Sequence, residues 1–139
     1  IHVAEILAGE HPPLVRQENI TRCIYTRLEA ASIGLSEEQA KEAGYDVKVI
    51  QSAFQGNAKA LIKGENEGII KLVIDQTYGE ILGAFMVGPH ATDLIGEVLG
   101  VKASEGTIYE LSEIIQPHPA LLEAIGEGAD AYFGSAIHM

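Results

Sequence analysis

A single cysteine, Cys23, and no tryptophan occur among the 139 residues. One thiol excludes an internal disulfide framework and any cysteine-based zinc site, and it suits a reducing, cytoplasmic compartment. Cationic residues are scarce too: 9 Lys and Arg stand against 20 Asp and Glu, for a net charge of −11 and an isoelectric point near 4.7. No Lys/Arg cluster exists, so the footprint of phosphate-backbone binding is missing and nucleic acid is not an expected partner. The longest apolar runs, such as Ile81–Val87, are far too short to span a bilayer, so no membrane partner is expected either. There is no Gly-x-Ser-x-Gly elbow, no GxGxxG fingerprint and no P-loop.

What remains is a chain of ordinary globular composition, 47% hydrophobic and 21% charged, long enough for one domain with its own core. It begins with isoleucine and reads as a piece of something longer. His2–Ala8 favours a helix that stops at Gly9, and Pro12-Pro13 follows, so residues 1–19 read as the tail of a preceding domain and a linker. Arg22–Thr26 is β-prone. Ser36-Glu37-Glu38-Gln39 is a capping box opening a helix that should end at Gly44. Strands are expected over Asp46–Phe54, Gly68–Ile74 and Glu80–Val87, the last two joined by a hairpin loop ending in Gly79. After Gly88-Pro89 the period turns helical: Leu94, Ile95, Val98, Leu99 and Val101 share a face, Thr107–Ile115 forms a short helix, and Leu122, Ile125, Ala129, Tyr132 and Phe133 mark a last one. The order predicts an α+β fold, an antiparallel sheet with helices packed on one side.

The strand over 80–87 is almost continuously apolar rather than alternating, so both sheet faces should be covered. Helices can take one face; a twofold-related copy is the economical cover for the other surplus apolar surface. Tyr132 and Phe133 then read as core or interface, and Gly126-Glu127-Gly128 as a close helix contact.

The chemistry concentrates in Gln116–Gly134. Pro119 presets φ for a first helical position and pushes His118 to extended geometry, just outside the helix. Glu123 lies about one turn in, with its side chain leaning back toward the helix start, within reach of one imidazole nitrogen. A carboxylate there fixes the tautomer and leaves the second nitrogen to exchange protons near neutral pH. The competing structural reading is a helix cap or surface contact. Cys23, nearly a hundred residues away, gives no sign of partnering His118 as a nucleophile. His2, His11, His90 and His138 lack metal-ligand spacing and read as exposed loop or terminal residues, with no metal expected; His90, before Asp93, is a candidate helix cap.

Several stretches in order resemble the interface domain of the FAD-dependent pyridine nucleotide–disulfide oxidoreductases, dihydrolipoamide dehydrogenase among them. They are Ile24-Tyr25-Thr26, Glu29-Ala30-Ala31-Ser32-Ile33-Gly34, Ser36-Glu37-Glu38-Gln39-Ala40, Asn57-Ala58-Lys59-Ala60, Gly68-Ile69-Ile70-Lys71-Leu72, Ile81-Leu82-Gly83-Ala84, Val87-Gly88-Pro89-His90-Ala91 and His118-Pro119-Ala120-Leu121-Leu122-Glu123-Ala124. The resemblance implies a dimerisation domain over 20–139, with His118 and Glu123 as an acid–base pair acting on the disulfide of the other subunit. It implies His118 and Pro119 near that subunit's flavin, and a cis His118–Pro119 bond. It also implies a homodimer, with FAD and NAD held elsewhere in the full-length protein and none bound to this chain. The isolated chain would then be inactive, and the whole enzyme would serve a 2-oxo acid or acetoin dehydrogenase complex through lipoyl groups. The sequence departs from the family pattern at Gln116, where histidine is usual, at Ala120, where threonine is common, and at Leu28, in place of a common proline. A rival expectation is a stand-alone, non-catalytic dimeric module of the same fold.

Overall fold

The computed structural model describes residues 1–138. Five strands form one antiparallel sheet: β1 (Arg22–Ile24), β2 (Glu29–Gly34), β3 (Val47–Ala53), β4 (Ile69–Asp75) and β5 (Ile81–Gly88), in the order β1-β2-β5-β4-β3. Around it lie α1 (His2–Leu7), α2 (Glu37–Glu42), α3 (Ala58–Lys63), α4 (Ala91–Ala103), α5 (Ile108–Glu113) and α6 (Glu123–Phe133). The three strands expected over 46–54, 68–74 and 80–87 form within a residue of those bounds.

Alternation along β4 sends Ile70, Leu72 and Ile74 into the main core, where Leu94, Ile95 and Val98 of α4 and Ile125 and Ala129 of α6 meet them. Val73 points the other way, into a second cluster with Ala40 of α2 and Leu82. β5 lacks apolar–polar alternation because both its faces are packed: Ala84 and Met86 enter the main core and Phe85 the second cluster. A bulge, with Val73 paired to Gly83 but Ile74 to Ile81, makes Leu82 the extra residue and shifts the phase so that Ile81 also faces the main core. The long helices therefore share one side, while α2 covers part of the other. At the far end of that second face the register pair Ile69 and Val87 remains exposed.

The capping box forms as expected: Ser36 Oγ accepts from the Gln39 amide at 3.2 Å and Gln39 Oε1 from the Ser36 amide at 2.9 Å. Gly44 takes the left-handed conformation after α2. Two elements escape the periodicity argument. One is β2, whose Ala-Ala-Ser centre has weak strand propensity; it is held by pairing to β1 and β5, and Gly34 sits so close that a Cβ would lie 2.1 Å from the Leu82 carbonyl oxygen. The other is α3, too short for a hydrophobic repeat, but framed by Asn57, whose Oδ1 accepts from the Ala60 amide at 2.9 Å, and by Gly64 at φ 70°. Residues 1–20 contain α1 and no buried side chain.

Candidate functional site

The last helix starts later than its sequence suggests. Glu123 is the first residue of α6 rather than a residue one turn inside it. Residues 119–122 turn instead of winding: the Ala124 and Ile125 amides bond back three residues, to Leu121 and Leu122. The Asn57 side-chain amide draws the Ala120 carbonyl toward α3 at 2.9 Å. The His118–Pro119 peptide is cis, as the family resemblance implies.

This turn brings His118 and Glu123 together. Glu123 Oε1 lies 2.8 Å from His118 Nδ1, and Oε2 accepts from the Ala120 amide at 2.8 Å. The carboxylate thus works at both ends, one oxygen tying down the turn and the other the imidazole. No side chain caps α6 itself, so the carboxylate fastens the turn that precedes the helix and not the helix start. Partial burial alone would raise the Glu123 carboxyl; the Ala120 amide, the His118 ring and the charges of His118 and His138 outweigh it and hold the group below its ordinary value. The glutamate side chain is 29% exposed and the imidazole 72%, so the carboxylate is sheltered and the ring is presented. With Nδ1–H donated to Glu123, Nε2 is the nitrogen that carries the lone pair, and it has no hydrogen-bond partner among the described residues.

Cys23 lies on the edge strand β1, at the opposite end of the sheet from β3, on which α6 packs; the structure keeps thiol and imidazole apart. His90 stands at the N-cap position of α4 at φ 55°, but its ring does not cap the helix: Nε2 is 2.8 Å from Lys63 Nζ. His138, expected as an exposed loop or terminal residue, is exposed, and its Nδ1 lies 3.0 Å from Glu127 Oε1. That second His–Glu pair spans eleven residues and leaves no local spacing signal. Among the described residues no three His, Cys, Asp or Glu groups gather closely enough to hold a metal ion.

The glycines of α6 serve packing. A Cβ on Gly126 would meet the Gln116 side chain at 2.6 Å, and one on Gly128 would meet Ser52 Oγ at 3.1 Å. Gln116 in turn donates to Glu97 Oε1 of α4 at 3.0 Å. Hence Gly126-Glu127-Gly128 cradles protein rather than a phosphate.

A five-stranded antiparallel sheet, flanked by helices and carrying a His-cisPro turn tied to a helix-first glutamate, defines a class of domain. The profile of the pyridine nucleotide-disulphide oxidoreductase dimerisation domain matches residues 20–129, and the chain belongs to that family. It is 44% identical over 138 residues to a dihydrolipoyl dehydrogenase of Bacillus subtilis, covering 99% of this chain and 29% of that protein. A dihydrolipoyl dehydrogenase of Zymomonas mobilis is 40% identical over 136 residues, or 97% of this chain and 29% of its own length. The chain therefore spans less than a third of the length of these curated relatives. Among solved structures, the LpdA protein of Mycobacterium tuberculosis superposes with a TM-score of 0.82 at 22% identity, over 94% of this chain and 28% of that one. The HOCl-induced flavoprotein disulfide reductase RclA of Escherichia coli gives 0.82 at 22% identity, over 92% of this chain and 30% of its own. At that identity the superpositions speak to the fold.

Proposed function

We propose that the chain is the dimerisation domain of a dihydrolipoyl dehydrogenase and supplies His118 and Glu123 as an acid–base pair to the active site of a second copy. The observation that carries this reading is the two-point grip of Glu123, on the Ala120 amide and on His118 Nδ1, beneath an exposed imidazole. In the direction of dithiol oxidation, Nε2 takes the proton of a substrate thiol. The resulting thiolate attacks one sulfur of the enzyme's disulfide and displaces the other as a thiolate, giving a mixed disulfide. The second substrate thiol then closes the substrate disulfide and leaves the enzyme pair as a reduced dithiol. Glu123 stabilises the imidazolium while it holds the proton. The chemistry that FAD and NAD would supply, when bound by the full-length protein, is the two-electron reoxidation of the enzyme's dithiol.

The reactive cysteine pair and the cradles for FAD and NAD belong to regions outside this chain, with residues 1–19 the stub that leads from them and 20–139 the dimerisation domain. The chain's own contact to a flavin would come from His118 and Pro119 alone, and the isolated chain is inactive. Homodimerisation is supported by surface: Ile115, two residues before Pro117, is 98% exposed, and Tyr109 and Phe133, their tilted rings 5.2 Å apart between centroids, stand exposed on α5 and α6. Through its lipoyl substrate the whole enzyme would serve a 2-oxo acid or acetoin dehydrogenase complex, in the cytoplasm, where Cys23 stays reduced. The test is His118→Gln in the full-length protein. Dihydrolipoamide–NAD turnover should fall by a factor of about 10² or more with FAD retained; turnover within a few-fold of wild type refutes the reading.

A further inference from the structure

We propose that Ser135–His138 is a strap, docked on Glu127 and seated on Gly56, that positions the His118–Glu123 pair from behind, with Glu127 and His138 as positioning residues. The proposal rests on the acid–base reading of that pair. The strap begins where Gly134, at φ 74°, turns the chain back from α6, and the Ser135 amide and hydroxyl both donate to the Asp130 carbonyl at 3.0 Å. It is then fixed at three points by one carboxylate: Glu127 Oε2 accepts from the Ile137 amide at 2.8 Å and the His138 amide at 3.0 Å, while Oε1 meets His138 Nδ1 at 3.0 Å. Its far side rests on Gly56, where a Cβ would fall 1.9 Å from the His138 carbonyl oxygen. Such an approach admits only glycine.

Through His138 the docked strap borders a small open pocket. His118, Glu123, Glu127 and His138 line it together with Gly56 and Asn57. Glu123 and Glu127 are one helical turn apart, a spacing at which two carboxylates repel. The strap consumes both oxygens of Glu127, so that carboxylate neither competes for His118 nor stands unsatisfied beside Glu123. Burial opposes its ionisation, but the His138 amide and ring and the Ile137 amide hold Glu127 below its ordinary value.

The test uses the full-length enzyme with Gly56→Ala, His138→Ala, His138→Asn and, as reference, His118→Gln. Two activities are read: dihydrolipoamide–NAD turnover, which needs the pair, and NADH–ferricyanide turnover, which bypasses the disulfide. Gly56→Ala and His138→Ala should lower kcat for dihydrolipoamide about tenfold, with the ferricyanide activity and FAD content unchanged. His138→Asn, whose amide can still donate to Glu127, should restore most of the loss. Near wild-type kcat in both strap variants, with His118→Gln inactive, overturns the strap while leaving the acid–base pair standing. Equal loss in His138→Asn and His138→Ala also overturns it. An active His118→Gln refutes the pair itself. Should Gly56→Ala fail to retain FAD, the two His138 variants decide alone.

Discussion

Asn57→Ala should weaken the fold and the site through one side chain. Asn57 is buried; its Oδ1 caps α3 at the Ala60 amide and its amide nitrogen donates to the Ala120 carbonyl, the central residue of the His118–Glu123 turn. Losing an N-cap costs about 1 kcal/mol. Leaving a partly buried carbonyl without its donor costs about 1 kcal/mol more, the lower end of the range for an orphaned acceptor. The two add because they involve different atoms, giving about 2 kcal/mol in all. Asn57→Ser keeps an acceptor for the cap and loses only the bridge, so it should fall about halfway, near 1 kcal/mol. Urea denaturation of the purified chain, followed by circular dichroism, measures both. A loss below about 0.5 kcal/mol for Asn57→Ala, within the range of an ordinary surface change, would refute the reasoning. So would a serine variant no better than alanine.

Gly34→Ala should be worse still. The residue sits at φ 80° and its Cβ would strike the Leu82 carbonyl, so a loss of at least about 2 kcal/mol is expected; a near-neutral result in the same denaturation assay would mean that β2 and β5 can separate freely. Glu97 offers a test with the opposite sign. Burial raises its carboxyl above the ordinary value, outweighing the Gln116 hydrogen bond, and among the described residues Oε2 has no partner. An acid raised in the folded state contributes stability that is full below its unfolded pKa and is lost as pH rises through the folded value. Glu97→Gln removes that loss while its oxygen can still accept from Gln116, so the variant should match wild type near about pH 4 and exceed it at about pH 7. Lower stability at neutral pH would contradict this account. Glu29 behaves in the usual direction: the Thr92 hydroxyl and amide hold it below its ordinary value, so its contribution should fade as pH falls through the folded value, and Thr92→Val should flatten the acid limb of the stability curve. An unchanged acid limb would count against that pairing.

The fold was legible where chemistry is local. Ser36 and Gln39 announce their capping box in four residues, and the β-branched run of β3 and the 94–101 periodicity of α4 carry their own signals. β2 was not legible, because Ala30, Ala31 and Ser32 make a strand only once β5 lies beside them. The apolar continuity of β5 pointed correctly to two occupied faces, but the bulge at Leu82, which changes which residues enter each face, depends on the register with β4 and leaves no signal in the sequence. At the site, the five-residue spacing of His118 and Glu123 was visible, and so was the protruding imidazole. The helix start was misplaced because Pro119 suggests an N1 position, whereas the Asn57 and Glu123 hydrogen bonds to Ala120 hold the segment in a turn. The Glu127–His138 pair was beyond reach, since it depends on Gly134 reversing the chain and Gly56 receiving it.

The central claim is that His118 handles protons for dithiol exchange and not for the other half of the reaction. Anaerobic stopped-flow absorbance on the full-length His118→Gln protein separates the two. Reduction of the oxidised enzyme by NADH should proceed at the wild-type rate, while reduction by dihydrolipoamide should slow by a factor of about 10² or more. Equal rates of reduction by dihydrolipoamide in variant and wild type, or an equal slowing with both reductants, would contradict the account.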